Sequence, residues 1–313
     1  MKFEIKVYSM YELGARSNQE DSLYPQPQEL SAGARNFVLC DGMGGHDSGE
    51  VASDAVCRAM GAYADACNRG DVPFTADSLR DALNAAYDAL DARDTYAEKK
   101  MGTTMTFLAL HAGGCLIAHI GDSRVYHLRP GVGILFETRD HSLVNDLIKI
   151  GELTEETAKD FDQKNVITRV MQPNRERRSR ADIKEIADVR PGDCFFMCSD
   201  GVNETMESKH IANVLLDEKL SDSDKMRIIK DVTQASRDNH TAFLIRIEGV
   251  EDESESKSNA ISKRSEKSQF TDKKNPRPVR EDKIGAQHHK WLLLLLAMFS
   301  LSAIIAAVIH FIK

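Results

Sequence analysis

Phe37-Val38-Leu39-Cys40-Asp41-Gly42-Met43-Gly44-Gly45-His46 decides how the chain reads. Four apolar residues in succession read as a buried strand. An acid follows, and then glycines at 42, 44 and 45, which are free to adopt φ > 0 and put no side chain in the way of a close ligand. Helical spacing resumes near Gly49, with Val51, Ala55, Ala59, Ala62 and Tyr63 recurring along one face to Cys67. A carboxylate and bare backbone are thus offered to something small and charged. An acid at the turn, where a lysine could have stood, points to a cation. A plain glycine turn joining strand to helix is the competing reading, and only the rest of the chain decides between them.

Composition is globular, with 42% hydrophobic and 29% charged residues over 313 positions. The net charge of −8 conceals a basic stretch, because residues 255–290 hold ten Lys/Arg against five Asp/Glu. The part that precedes it is strongly acidic, which gives no electrostatic footprint for nucleic acid. The six cysteines (Cys40, Cys57, Cys67, Cys115, Cys194 and Cys198) are scattered without a CxxC pair, as in a reducing compartment. Met1-Lys2-Phe3-Glu4-Ile5-Lys6 has no apolar h-region, so no secretory signal is expected.

Outward from the opening stretch, residues 3–8 alternate like a strand, and residues 14–22 are polar and turn-like. Leu79, Leu83, Ala86 and Leu90 predict a second helix. Thr104–Leu110 and Cys115–Ile120 read as a hairpin across Ala112-Gly113-Gly114. Further strands are expected at Val125–Leu128, Ile134–Phe136, Ile183–Val189, Cys194–Cys198 and Thr241–Ile247. Ser142 can cap a helix through Ile150, and two helical stretches fall near 207–216 and 222–237. Short hairpin-linked strands with helices in pairs imply an α+β fold of antiparallel sheets covered by helices.

Asp21, Asp41, Asp200 and Asp238 stand at strand ends or turns, and Asp122 occupies another turn. Hard divalent cations want oxygen ligands, and several carboxylates can hold two ions about 3.5–4 Å apart. The Gly42 carbonyl can add a ligand. The planar fork of Arg16 suits bidentate capture of a phosphate.

Eight motifs then fall in order. They are Arg16-Ser17-Asn18-Gln19-Glu20-Asp21-Ser22, Asp41–His46, Gly102-Thr103-Thr104, Ile120-Gly121-Asp122-Ser123-Arg124, Asp140-His141-Ser142-Leu143, Asn165–Arg169, Ser199-Asp200-Gly201 and Asp238-Asn239. Over residues 3–248 the chain resembles the metal-dependent Ser/Thr protein phosphatases of type 2C, in particular the bacterial ones. The resemblance implies a four-layer αββα sandwich of two antiparallel β-sheets. It implies Mn²⁺ or Mg²⁺, two ions, held by Asp21, Asp41, the Gly42 carbonyl, Asp200 and Asp238, with Asp122 and Asp200 for a third, weaker site. It also implies Glu20 behind a metal-bound water, Arg16 on the substrate phosphate, a variable flap over residues 142–180, and hydrolysis of phosphoserine and phosphothreonine by a metal-activated water. Met43 departs from many eukaryotic relatives, which carry a histidine there as general acid. His46 is a substitute for it only if it is not packing at the helix entrance. A catalytically silent phosphoprotein-binding module and a membrane assembly factor are the alternatives.

Residues 249–290 are poor in apolar residues and read as a flexible polar linker, spanning roughly 35 Å r.m.s.. Trp291–Ile312 holds no Asp, Glu, Lys or Arg and at about 1.5 Å per residue reaches roughly 33 Å, enough for a transmembrane helix. Arg277, Arg280, Lys283 and Lys290 precede it and Lys313 alone follows. The positive-inside rule then predicts a single-pass protein of the bacterial inner membrane with residues 1–248 facing the cytoplasm. The expected partners are phosphorylated proteins, among them a membrane Ser/Thr kinase or its targets in signalling, and the bilayer itself. Arg175, Arg177, Arg178 and Arg180 are either a recognition element for such substrates or a solvated loop.

Overall fold

The computed structural model describes residues 1–44, 48–94, 100–163 and 166–251. Two antiparallel sheets pack face to face. The first runs in the order β1 (Lys2–Glu12), β11 (His240–Glu251), β10 (Cys194–Cys198), β7 (Arg124–Arg129) and β8 (Gly133–Glu137). The second runs β2 (Asp21–Tyr24), β3 (Asn36–Met43), β5 (Met105–His111), β6 (Gly114–Ile120) and β9 (Asp182–Ile186), with β4 (Gly102–Thr103) against the end of β3.

Side chains of a strand alternate between faces, and that alternation builds the layers. In β3, Phe37 and Leu39 enter the core between the sheets, while Val38 and Cys40 lie under α1 (Ser48–Cys67) and α2 (Ala76–Asp91). In β10, Phe195 and Met197 face the other sheet. Cys194, Phe196 and Cys198 instead pack beneath α4 (Asp200–Asn203), α5 (Ser208–Leu215) and α6 (Asp222–Thr233). Both strands read as continuous apolar runs because both of their faces are covered. Phe37 and Phe243 meet edge to face across the inter-sheet core, 5.6 Å between ring centres. Five of the six cysteines are buried and all six are free thiols, so they act as small hydrophobes here.

α3 (Leu143–Lys149) starts where Ser142 accepts the Asn145 N–H, as its position before the apolar run predicts. The stretch around it is fastened to the body by two isolated bridges, Ser142 to Ile167 and Thr103 to Met171.

Four details differ from the expectations, one being that residues 249–251, expected to open the polar linker, continue β11 and pair with Lys2, Phe3 and Glu4 of β1, whose backbone they complete. β3 continues through Asp41 and Gly42 to Met43, so the glycine turn starts later than the sequence suggests. Gly42 is an extended strand residue, and its missing side chain matters for space: a Cβ there would run into the carbonyls of Gly49 and Glu20. The polar stretch at residues 14–22 ends in β2, which pairs with β3. Finally, a one-turn helix, α4, begins at Asp200 directly after β10.

Candidate metal centre

The four acids come from both sheets and meet at one end of the sandwich. Asp21 opens β2 and lies directly opposite Asp41 of β3. Like charges directly opposite on one face of a sheet repel, so this pairing is unfavourable unless something positive joins it. Asp200 heads α4 after β10, and Asp238 stands two residues before β11, the neighbour of β10. Asp122 sits in the turn between β6 and β7, where the chain crosses from one sheet to the other. In the second acid-glycine pair, a Cβ on Gly201 would collide with the Asn239 carbonyl, so glycine lets the two segments close up.

Burial and mutual repulsion govern the ionisation of these groups. Asp21 is fully buried, and its carboxyl is pushed up to about 7, first by burial and further by Asp200 and Asp238; the Ser199 hydroxyl, donating at 2.9 Å, works against this. Burial and the neighbouring acids Asp21, Asp200 and Asp122 hold the Asp41 carboxyl well above the usual carboxylate range. The Asp200 carboxyl is raised as well, first by burial and then by Asp238. Asp122 is pushed up to about 7 by burial, then by Asp200 and Asp140. One carboxylate oxygen on each of Asp21, Asp122 and Asp200 is buried with no hydrogen-bond partner. Such groups are normally satisfied, and three together define a place for a positive ligand. An all-oxygen donor set of this charge fits hard divalent cations.

Beside the acids opens a cleft of about 700 Å³ lined by Arg16, Asp122, Arg124, Asp140, Asp200, Asn203, Glu204, Arg237 and Asp238, among others. Arg16 Nη2 donates to Asp238 Oδ2 at 2.6 Å, which places its fork at the mouth, half exposed. Glu20 accepts from the Gly49 N–H near the start of α1; burial raises its carboxyl while Arg16 lowers it. Arg124 grips Asp140 through two bonds of 2.7 Å and also reaches Glu137 and the Ser208 hydroxyl, which fixes one wall of the cleft.

Sequence reasoning assigned no role to Asn239, yet it ties the site together. Its Oδ1 accepts the Glu20 N–H at 2.8 Å, and its Nδ2 donates to the carbonyls of Leu13 and Asn18. The loop that carries Arg16, Glu20 and Asp21 is thereby fastened beside Asp238. The only available signal was the Asp238-Asn239 pair itself, since amide side chains satisfy loop backbone readily. Ser199 and Thr104 were also missed. Ser199 donates to Asp21, and Thr104 Oγ1 accepts the Asp41 N–H at 3.0 Å.

The arginine cluster is in part a fastening. Arg178 pairs with Asp88 and Asp91 of α2 and lies over the Tyr87 ring, while Arg175 bonds Gln172. His119, His141 and Asp182 also gather, and their donor atoms lie close enough for an ion. The two imidazoles, however, stack at 4.5 Å and 8°, so their in-plane lone pairs do not converge. The Gly121 N–H donates to His141 Nδ1, and Nε2 lies 3.2 Å from both Asp182 and the Arg169 guanidinium, which itself donates to Asp182. This trio is a tie that holds the turn before Asp122 in place. Met43 is half-buried at the end of β3, whereas His46 and Asn165 lie outside the described residues.

A family model described as Protein phosphatase 2C matches residues 15–244. The Ser/Thr protein phosphatase PstP of Mycobacterium tuberculosis is 37% identical over 201 residues, 64% of this chain and 36% of its own length. The chain therefore spans about a third of that relative. Protein phosphatase PhpP of Streptococcus pneumoniae is 30% identical over 236 residues, 74% of this chain and 92% of its own length. The crystal structure of the catalytic domain of PstP in complex with two manganese ions superposes with a TM-score of 0.62 at 28% identity, over 78% of this chain and 98% of that one. Fold, order of motifs and the acid cluster agree with these matches: the chain belongs to the protein phosphatase 2C family.

Proposed function

We propose that the chain hydrolyses phosphoserine and phosphothreonine in proteins, using divalent cations held by Asp21, Asp41, the Gly42 carbonyl, Asp200 and Asp238, with Asp122 for a third. The observation that carries this is the set of buried carboxylate oxygens without partners on Asp21, Asp122 and Asp200, beside a cleft with Arg16 at its mouth. The related PstP domain holds two manganese ions. When bound, Mn²⁺ or Mg²⁺ lowers the pKa of a water and polarises a phosphoryl oxygen.

The chain's own groups supply the rest. The Asp41 and Asp200 carboxyls, both raised, must be ionised to ligate, so cation binding favours loss of their protons. Arg16, positively charged and fixed by Asp238, receives the substrate phosphate through its planar fork. Glu20, seated on the Gly49 N–H, places a carboxylate beside Arg16 to hold water. Acids at every expected ligand position favour hydrolysis over silent phosphoprotein binding. The test is release of phosphate from a phosphothreonine peptide with Mn²⁺. The expected result is turnover abolished by chelator, and chelator-insensitive turnover or none with any divalent cation overturns the reading.

We also propose that Trp291–Ile312 anchors the protein in the bacterial inner membrane, with the folded body on the cytoplasmic side. The support is the uncharged 22-residue run, with Arg277, Arg280, Lys283 and Lys290 on its N-terminal side. This segment lies outside the described residues, among which no helix is long and apolar enough to cross a membrane. Its substrates would then include phosphorylated proteins at the inner membrane face, among them a Ser/Thr kinase or its targets. After alkaline washing the full chain should stay with membranes, while removal of 291–313 should release it; full release of both forms overturns the anchor.

A further inference from the structure

Arg237 is a cation of the cleft that takes no part in the metal and phosphate assignments and, unlike Arg124, is not held by an acid among the described residues. It lines the same cleft as Arg16 and precedes Asp238 in the chain. Three acids of this cleft already have partners. Glu204 accepts both the Ser236 hydroxyl at 2.8 Å and the Arg237 backbone N–H at 3.0 Å. Asp238 is taken by Arg16 and by the Asn239 N–H. Asp140 is taken by Arg124. The Arg237 backbone is therefore clamped, while its exposed guanidinium has no ion pair among the described residues.

We infer that Arg237 binds a second anionic group of the substrate, a carboxylate or a further phosphate on a residue close to the phosphoresidue. The inference rests on the phosphatase reading above and names its substrate class: peptides that are acidic or multiply phosphorylated around the target. Two arguments from the geometry carry it. First, a cleft of about 700 Å³ is larger than one phosphate requires, so flanking residues enter it with the phosphoresidue. Second, consecutive Cα atoms are about 3.8 Å apart and an extended peptide rises about 3.3 Å per residue. Arg16 and Arg237 line the same cleft, so a substrate whose phosphate lies on Arg16 presents its neighbouring residues to the wall that carries Arg237. A guanidinium takes carboxylate and phosphate oxygens in bidentate fashion, and its backbone clamp reduces the ordering that binding requires.

The experiment measures kcat/KM of the full chain with Mn²⁺ on three phosphothreonine peptides: neutral flanks, glutamates at the flanking positions, and a second phosphothreonine nearby. p-Nitrophenyl phosphate, which has no flanks, is the fourth substrate. Wild type should prefer the acidic or the doubly phosphorylated peptide over the neutral one by about tenfold, and Arg237→Ala should bring that ratio close to one. Arg237→Lys should keep part of the preference, less for phosphate than for carboxylate, because an ammonium lacks the fork. Which peptide carries the preference identifies the anion. A wild-type ratio near one, or the same ratio in wild type and Arg237→Ala, overturns the inference while leaving the phosphatase reading intact. No hydrolysis of p-nitrophenyl phosphate or any peptide overturns that reading, and the inference with it.

Discussion

Asp41→Asn should lower Mn²⁺-dependent kcat/KM on a phosphothreonine peptide by roughly a thousandfold, about 4 kcal/mol of transition-state stabilisation. The reason is position. Asp41 faces Asp21 across the β2–β3 pair, and Asp21, Asp200 and Asp122 all raise its carboxyl, so it feels the charge of most of the cluster. An amide keeps the shape and removes the charge that draws a cation in. The same change should not harm the fold. In chelator at pH 7.5 the variant should melt at the wild-type temperature or above it, because a crowded buried carboxyl has been replaced by a neutral group. Loss of activity together with stability in chelator unchanged or improved is the signature of a functional acid held against its own electrostatic preference. Wild-type activity in this variant, read from initial rates, would remove Asp41 from the centre.

The metal-free protein should lose stability as pH rises from about 6.5 to 8, and Mn²⁺ should reverse the loss. Asp21 and Asp122 titrate near 7 in the folded state against an ordinary carboxyl value of 3.8. Between those values the native state binds more protons than the unfolded chain, so stability falls with rising pH until the folded-state pKa is passed. His111, His119 and His141 act in the opposite direction. Burial lowers all three, so below 6.5 the unfolded chain binds the extra proton and stability rises with pH. Above 6.5 the unfolded histidines progressively lose their proton, so their opposing contribution fades while Asp41, held well above the usual carboxylate range, adds to the contribution of Asp21 and Asp122. Thermal melts at pH 6.5, 7.2 and 8.0 should therefore show a falling midpoint in chelator. The rise produced by saturating Mn²⁺ should be greatest at pH 8.0, since ligation needs ionised carboxylates. A flat profile in chelator would mean that the acids are better solvated than their burial implies.

Much of the fold was legible because its central strands are buried on both faces. Phe37–Cys40 and Cys194–Cys198 announce themselves as apolar runs, and the amphipathic spacing of α1 and α2 matches helices that cover one face of a sheet. β2 was not legible, since four residues beginning Asp21-Ser22 carry no hydrophobic period, and so the Asp21–Asp41 register was hidden too. The acids themselves could be read as strand-end residues beside glycines, but the reason for Gly42 could not. Nothing local reveals that the Gly49 and Glu20 carbonyls press on it. Long-range partners were equally invisible. Arg178 meets Asp88 some ninety positions away, and Asn239 meets Glu20 across more than two hundred. Residues that hold the ligand-bearing loops are harder to find than the ligands, because an amide or hydroxyl bonded to backbone has no spacing rule of its own.

The central claim is that the acids at the end of the sandwich form a divalent metal centre. Calorimetric titration of Mn²⁺ into the chelator-stripped full chain at pH 7.5 tests it most directly. The account predicts at least two ions bound per chain, with binding greatly weakened in both Asp41→Asn and Asp200→Asn. Absence of Mn²⁺ binding in the wild type, or binding of equal strength in the two variants, would contradict it.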